Sequence, residues 1–326
     1  MSPDRPRALL TGLTGQDGSF LAEQLLERGY RVIGISRRAP ERGLGLADHL
    51  CGRVEVVAGD LLATETLVTA VESILPDEIY HLGAPTFVPD SWRRPAETSA
   101  AIVGSTATLL ETVRRSCPSA RVFVAGSSEM FGDAAESPQH ENSVCRPRSP
   151  YGTAKLAAHQ LVGQFRRHEG LFACSGILYN HESERRPPNF VTRKITQAAA
   201  AIKLGQQDDL TLGDLSTVRD WSFAGDITRA AWMMLQHDTP GDYVLSSGVG
   251  RTVRAFLEEA FSVVGLDPNE YVRIDPDLMR PHEQTPPIGD PTTALTELGW
   301  SPTVDFAQLV ERMVHADLDR LRGELS

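Results

Sequence analysis

Two short stretches hold side chains whose types and spacing suit proton transfer. Residues 125–132 read AGSSEMFG, so Ser127, Ser128 and Glu129 stand side by side straight after the apolar run RVFVA. Taken alone, S-S-E is also an ordinary helix cap or turn, because hydroxyl and acidic residues favour helix N-termini. The second stretch, SPYGTAK, sets Tyr151 and Lys155 at i, i+4, on one face of a helix. A lysine that close lowers the phenol's pKa by its charge. A tyrosine so activated can take a proton from an alcohol as hydride leaves the carbon.

A third stretch names the hydride's destination. TGLTGQDG, residues 11–18, follows the apolar RALL and opens a helical pattern, with glycines at 12, 15 and 18. Gly12 permits a tight turn, Gly15 lets the backbone approach a pyrophosphate, and Gly18 lets helix and strand pack closely. The diphosphate then sits on the exposed N–H groups of the helix. An NAD site usually carries an acid roughly 20 residues after the glycines, for the ribose 2′-hydroxyl. Here the second apolar run ends in ISRR, with Arg37 and Arg38 in that place. A solvated basic turn is the plainer reading, but two arginines suit a 2′-phosphate through forked, charge-assisted hydrogen bonds, and so NADP. Asp60 and Leu61 would then lie beside the adenine, and Lys155 can hold the nicotinamide ribose.

These side chains need a scaffold, and the order of patterns supplies one. RALLTG, RVIGIS, VEVVAGD, DEIYHLGA, RVFVAGS and FACSGILYN read as strands. Helical patterns separate most of them: SFLAEQLLERG with Gly29 as its C-cap, TETLVTAVESIL, a helix over about 96–116 and one from about 151. Strands this apolar, alternating with helices, form a parallel sheet covered on both faces. The C-terminal third changes character. Helical patterns at 252–265 and 305–322 flank loops and short strands, which marks a smaller second lobe.

Composition narrows the partners. At 326 residues the chain suits one large domain or two fused ones, and its net charge of −11 argues against a general nucleic-acid binder. A local arginine cluster for one phosphorylated ligand remains compatible with that balance. Cys51, Cys117, Cys145 and Cys174 are spread without a CxxC pair, as in a cytosolic protein with reduced thiols, no disulfide framework and no metal site. No apolar run has the length of a signal peptide or a membrane span, so the expected setting is cytoplasmic.

Together these residues resemble the extended short-chain dehydrogenase/reductases. TGLTGQDGSFLAEQLLERGY, SSEMFG, PRSPYGTAK, GILYNHES, FVTRKIT, RDWSFAGD and MRPHE, in order through nearly the whole chain, are similar to the GDP-mannose 4,6-dehydratase family. NHES followed by FVTRK is the most discriminating part. The resemblance implies an α/β fold, a Rossmann-type doubly wound parallel sheet with a smaller C-terminal substrate-binding lobe. The NADP domain would span 1–181 with a return segment at about 222–250. The nucleotide-sugar lobe would take 182–221 and 251–326. It also implies a GDP-sugar as partner, no nucleic acid or membrane, and a homodimer or homotetramer paired through helices of the first domain.

By the same correspondence Tyr151, helped by Ser127 and Lys155, removes the O4 proton of GDP-mannose while C4 gives hydride to NADP. Glu129 abstracts the C5 proton and returns it to the leaving C6 hydroxyl, and the hydride comes back to C6. Cofactor contacts fall on Gly12, Thr14, Gly15, Gln16, Asp17, Gly18, Arg37, Arg38, Asp60, Leu61, Leu82, Tyr151, Lys155 and His181. Thr86 and Asn180 face the sugar or diphosphate, with Asn189, Val191, Leu212 and Gly213 also toward the substrate. Lys194, Arg219 and Arg280 neutralise the diphosphate, and Glu283 binds the nucleotide ribose.

Departures from the family pattern leave the sugar, hexose or heptose, open. Ser127 stands where the family usually has threonine, and GSSE also resembles the related GDP-4-keto-6-deoxymannose reductases. AAQS is GAPT here, bringing Pro85; LGN is LGD at Asp214; HESPRRG is HESERRP. A reductase of a GDP-4-keto sugar is therefore the main alternative, and Glu129 with the intact VTRK favours the dehydratase. A silent, NADP-sensing regulator is the alternative of another class, against which Ser127, Tyr151 and Lys155 argue.

Overall fold

Short runs of β-branched and apolar residues form the strands, and amphipathic runs between them form the helices. The computed structural model describes residues 5–37, 43–279 and 285–323. The first half runs β1 (Arg7–Thr11), α1 (Gln16–Glu27), β2 (Arg31–Ser36), β3 (Glu55–Ala58), α2 (Thr64–Ile74) and β4 (Glu78–His81). It continues through α3 (Val88–Arg93), α4 (Pro95–Ser99), α5 (Ser105–Ser116), β5 (Arg121–Ala125), α6 (Pro150–Glu169) and β6 (Ala173–Leu178). Then come β7 (Asn180–Glu182), α7 (Val191–Lys203), β8 (Leu210–Leu212), β9 (Val218–Phe223), α8 (Ala224–Gln236) and β10 (Asp242–Leu245). The chain ends with β11 (Gly250–Thr252), α9 (Val253–Val263), α10 (Pro268–Tyr271), β12 (Val272–Ile274), α11 (Thr292–Leu298) and α12 (Phe306–Gly323).

Seven strands make one parallel sheet in the order β10-β6-β5-β4-β1-β2-β3. Helices α1 and α8 bury Leu21, Leu25, Ile227 and Met234 on one face. On the other, α2, α5 and α6 bury Leu67, Leu110 and Val162. The doubly wound α/β reading therefore holds. The chain moves outward from β1 through β2 to β3, then returns to β4 on the opposite side of β1. The strand order reverses there, and a crevice opens at the carboxyl ends of β1 and β4. A hydrogen-bond chain fixes both ends: the Gly83 amide donates to Thr11 Oγ1 (2.9 Å), which meets His81 Nδ1 at 2.9 Å, while His81 Nε2 meets Ser105 Oγ at 3.0 Å. Burial pushes His81 down to about 3, so this bridge is uncharged at neutral pH.

Two expected elements are interrupted. The helix expected over about 96–116 runs continuously from α4 through a π turn at Ala100–Gly104 into α5, so its regular hydrogen-bond ladder, not its path, is interrupted. There the Ser105 and Thr106 hydroxyls donate to the Ala101 and Ile102 carbonyls (2.6 and 2.7 Å), and side-chain donors at the carbonyls of a widened turn are one cause of such a break. The strand read in FACSGILYN divides after Leu178. Its first part lies in the main sheet, and β7 leaves to pair with β9, which pairs in turn with β11.

The second core forms where α7, α9 and α12 cover β8 and β9. Trp221 of β9 anchors it, with ring centroids 5.2 Å from Phe256 and 6.2 Å from Phe306. Among the described residues no helix is long and apolar enough to cross a membrane. The two cores are tied through Asp226 at the start of α8. Its buried carboxylate accepts from the Thr303 amide and hydroxyl (2.8 and 2.6 Å), the Val304 amide (3.2 Å) and Arg229 (3.0 Å). Trp300 Nε1 donates to the Asp226 carbonyl at 2.9 Å. Asp226→Ala should therefore cost about 3 kcal/mol, since it leaves buried donors facing no acceptor. Urea unfolding checks this, and a loss below about 1 kcal/mol would mean the loop before α12 is held by packing alone.

Candidate active site

The catalytic residues of the sequence reading come together because α6 begins where β5 ends. Ser149 caps α6, its Oγ accepting from the Gly152 amide at 3.0 Å, and Pro150 is pre-organised for the first helical position. Tyr151 and Lys155 then follow on the face turned toward the β5 end. Gly152 is what lets the two elements touch, since a Cβ there would overlap the backbone carbonyl of Glu129. Ser127 does two things at once. It caps the short turn Ser128–Met130 by accepting from the Glu129 amide at 3.2 Å, and its hydroxyl lies near enough to the Tyr151 phenol to pull the phenol's pKa down. The plain reading of SSE as a cap and the catalytic reading both describe the same hydroxyl.

Burial governs the electrostatics. Tyr151, Ser127 and Lys155 are only 7, 8 and 5% exposed. Burial pushes Tyr151 up to about 12, against a downward pull from the Ser127 hydrogen bond and the charge of Arg186. The expected lowering of the phenol by Lys155 is thus overridden: desolvation of the phenolate outweighs a lysine whose Nζ lies 5.8 Å from the ring centroid. Lys155 itself is brought down to about 8 by burial, partly opposed by Asp17, and its Nζ donates to the Ala125 carbonyl at 2.7 Å. Asp17 and His181 form an ion pair at 3.0 Å. Burial opposes both charges, yet their mutual attraction holds Asp17 below and His181 above the ordinary values.

Two clefts flank this cluster. The first, of about 510 Å³, is lined by Gly12, Thr14, Gly15, Gln16, Asp17, Gly18, Arg37, Asp60, Leu61 and Leu82. Gly12 lies at φ +79, where a Cβ would come within 2.9 Å of the Gly83 nitrogen, and a Cβ on Gly18 would overlap the Gly12 carbonyl. The turn can close in this way only with glycine at both positions. The second cleft, of about 390 Å³, is lined by Glu129, Asn180, Asn189, Val191, Lys194, Leu212, Gly213 and Arg219. Thr86 lines both. Ser127, Tyr151, Lys155 and His181 line neither cleft; the first three are buried and His181 nearly so. Lys194 Nζ donates to the Thr211 carbonyl (2.6 Å) and Arg219 Nη1 to the Val218 carbonyl (2.7 Å). Arg38, Arg280 and Glu283 lie outside the described residues.

Arg186 was missed by the sequence reading. It lines the first cleft, and its charge reaches Asp17, His181 and Tyr151. HESERRP holds two adjacent arginines, and only the fold separates them. Arg185 is spent on Ser19 Oγ (3.0 Å) and Glu23 (2.7 Å), whereas Arg186 turns to the cleft.

Comparison with known proteins agrees with this geometry. The model of the GDP-mannose 4,6 dehydratase family matches residues 9–313. The chain belongs to that family. It is 42% identical to GDP-mannose 4,6 dehydratase 2 of Arabidopsis thaliana over 98% of this chain and 89% of that one. It is 42% identical to the human GDP-mannose 4,6 dehydratase over 99% of this chain and 94% of that one. Among solved structures, a Thermotoga maritima UDP-glucose 4-epimerase with UDP-glucose superposes with TM-score 0.85 at 23% identity, covering 98% of this chain and 100% of that one. The dTDP-glucose 4,6-dehydratase of Bacillus anthracis, in complex with NAD, has TM-score 0.84 at 18% identity, covering 97% of this chain and 98% of that one. Pseudomonas aeruginosa RMD complexed with NADPH has TM-score 0.80 at 24% identity, covering 97 and 99%. These structures establish the shared fold.

The buried lysine gives a pH signature. Folded Lys155 loses its proton near pH 8, while the unfolded chain keeps it to about 10.4. Between those values the unfolded state binds more protons, so this group makes unfolding free energy rise with pH. Denaturant unfolding from pH 8 to 10 should show the wild type gaining on Lys155→Met by about 2 kcal/mol. Parallel pH profiles would return Lys155 to an ordinary lysine pKa.

Proposed function

We propose that this chain is a GDP-mannose 4,6-dehydratase. It converts GDP-mannose, or a close GDP-manno sugar, to the GDP-4-keto-6-deoxy sugar by internal hydride transfer from C4 to C6 with loss of water. The observation that carries this reading is the position of Glu129. Glu129 lines the second cleft, while its backbone is pressed against the helix that bears Tyr151. Oxidation or reduction at C4 needs one proton-transfer group, and elimination across C5 and C6 needs another. The site has both. Family membership and curated relatives named for this activity support the same reading.

The first cleft fits a dinucleotide: its turn leaves no room for a Cβ at Gly12 or Gly18, and the N-terminus of α1 faces it. NADP, when bound, supplies the acceptor that stores the hydride and gives it back. The remaining work belongs to the protein. Tyr151 takes the O4 proton, and against burial the Ser127 hydrogen bond and the Arg186 charge favour the phenolate that this step needs. Glu129 takes the C5 proton and delivers it to the departing C6 hydroxyl, so that water leaves. Lys194 and Arg219 in the second cleft supply positive charge for the diphosphate. With Thr86, Asn180, Asn189, Val191, Leu212 and Gly213 they hold the sugar nucleotide in register until the hydride returns. In this reading 182–221 and 251–326 form the nucleotide-sugar lobe. Assembly as a homodimer or homotetramer and a cytoplasmic setting follow from the same family reading, and all four cysteines are free thiols.

NADP is preferred over NAD in this reading because Arg37, which lines the same cleft as Asp60 and Leu61, stands where an NAD site usually carries an acid. A lost charge-assisted contact costs about 1.5–3 kcal/mol, so the preference should be on the order of tenfold or more. Titration of the cofactor-free protein checks it, and equal or tighter NAD binding would reverse it.

The net reaction tests the function. GDP-mannose should give a 4-keto-6-deoxy product with no lasting change in NADPH absorbance, and in deuterated water the product should carry deuterium at C5. Glu129→Gln should still bind both ligands and lose roughly 10²–10⁴ in turnover. Stoichiometric NADPH consumption on a GDP-4-keto-6-deoxy sugar, with no action on GDP-hexoses or GDP-heptoses, would make the protein a reductase instead.

A further inference from the structure

A stack of three side chains stands between the two clefts, and none of the roles above uses its rings. Arg186 lines the first cleft, and its guanidinium carbon lies 3.6 Å from the centroid of the Phe190 ring. Glu182 Oε2, 3.1 Å from Arg186 Nε, holds the same guanidinium from another side. Phe190 in turn meets Phe87 edge to face, with centroids 6.0 Å apart and planes at 82°. Both rings line the second cleft. They come from segments far apart in the chain. Phe87 precedes α3, next to Thr86, and Phe190 precedes α7, between Asn189 and Val191. The contact thus runs unbroken from a cation in one cleft to two walls of the other.

We propose that Arg186, Phe190 and Phe87 couple the two clefts, so that a phosphorylated dinucleotide bound at Arg186 pre-organises the site for a guanosine diphosphate sugar. The inference rests on the assignment of the clefts given above. A planar guanidinium stacks on a ring in a restricted set of orientations, so a ligand that fixes Arg186 also restricts Phe190. Phe190 then restricts Phe87 through the edge-to-face contact. The second ligand meets walls whose ordering cost is already met, and it binds more tightly for that reason. Linkage makes the effect reciprocal: each ligand tightens the other by one and the same factor.

GDP, which carries no sugar to react, is the probe. Calorimetric titration of the wild type after cofactor removal should give GDP affinity on the order of fivefold higher with saturating NADP than without, and NADP affinity higher by that factor with GDP present. In Phe190→Leu, and separately in Phe87→Leu, both at half-buried positions, the ratio should fall to near one. NADP binding without GDP should stay within about twofold of wild type. A ring that merely fills space would, when removed, weaken GDP equally with and without NADP. An unchanged ratio in both variants, or a ratio of one in the wild type, would overturn the coupling. Failure of the wild type to bind either ligand would instead overturn the cleft assignment, and the coupling with it.

Discussion

Everything in the site depends on one close approach of backbone to backbone. The carbonyl of Glu129 sits where a side chain at position 152 would have to be, so only glycine lets α6 dock against the end of β5. That docking brings the Ser127 hydroxyl to the phenol of Tyr151 and carries Lys155 back to the Ala125 carbonyl. It also sets Glu129 in the wall of the adjoining cleft. In the proposed reading, a proton-transfer pair for one carbon and an acid/base for its neighbours arise from this single packing contact.

Close packing of this kind dries the site, and the electrostatics record it. Burial raises Tyr151 and lowers Lys155, so both side chains are driven toward their neutral forms. The charges that survive do so in partnership. Asp17, in the wall of the first cleft, pairs with His181 behind it, and Arg186 lies against Glu182 and the Phe190 ring. A dry, preorganised surround strengthens each remaining charge, and mechanisms that develop and dissipate charge within one catalytic cycle need such a surround.

The sheet is a shared platform. An epimerase and another sugar-nucleotide dehydratase superpose on this chain with TM-scores of 0.85 and 0.84 at 23 and 18% identity. Such proteins share the topological switch at β1 and β4, so the platform alone does not select a reaction. The selection lies in the strand-end residues and in what the second lobe places opposite them. Here β7 follows immediately after β6 and pairs with β9, and so Asn180 lines the second cleft while His181 meets Asp17 of the first without a long linker.

The sequence by itself determined the features that depend on neighbours along the chain. The glycine turn after β1 and the i, i+4 pair of Tyr151 and Lys155 are local, because turn chemistry and helical periodicity are local. The alternation of strand and helix carried the sheet, and the resemblance named residues, Thr14, Asp60, Asn180 and Lys194 among them, that the fold brings into the two clefts. Tertiary structure decided what depends on surroundings. The pKa of Tyr151 followed burial from all sides, which no spacing encodes, and so it rose where its lysine neighbour suggested a fall. Arg185 and Arg186 look alike in HESERRP, yet α1 claims one and the cofactor cleft the other. The division of FACSGILYN after Leu178, and the meeting of Phe87 with Phe190, were likewise set by contacts between distant segments. Desolvation and partner choice are sums over everything packed around a group, and that sum exists only once the chain has folded.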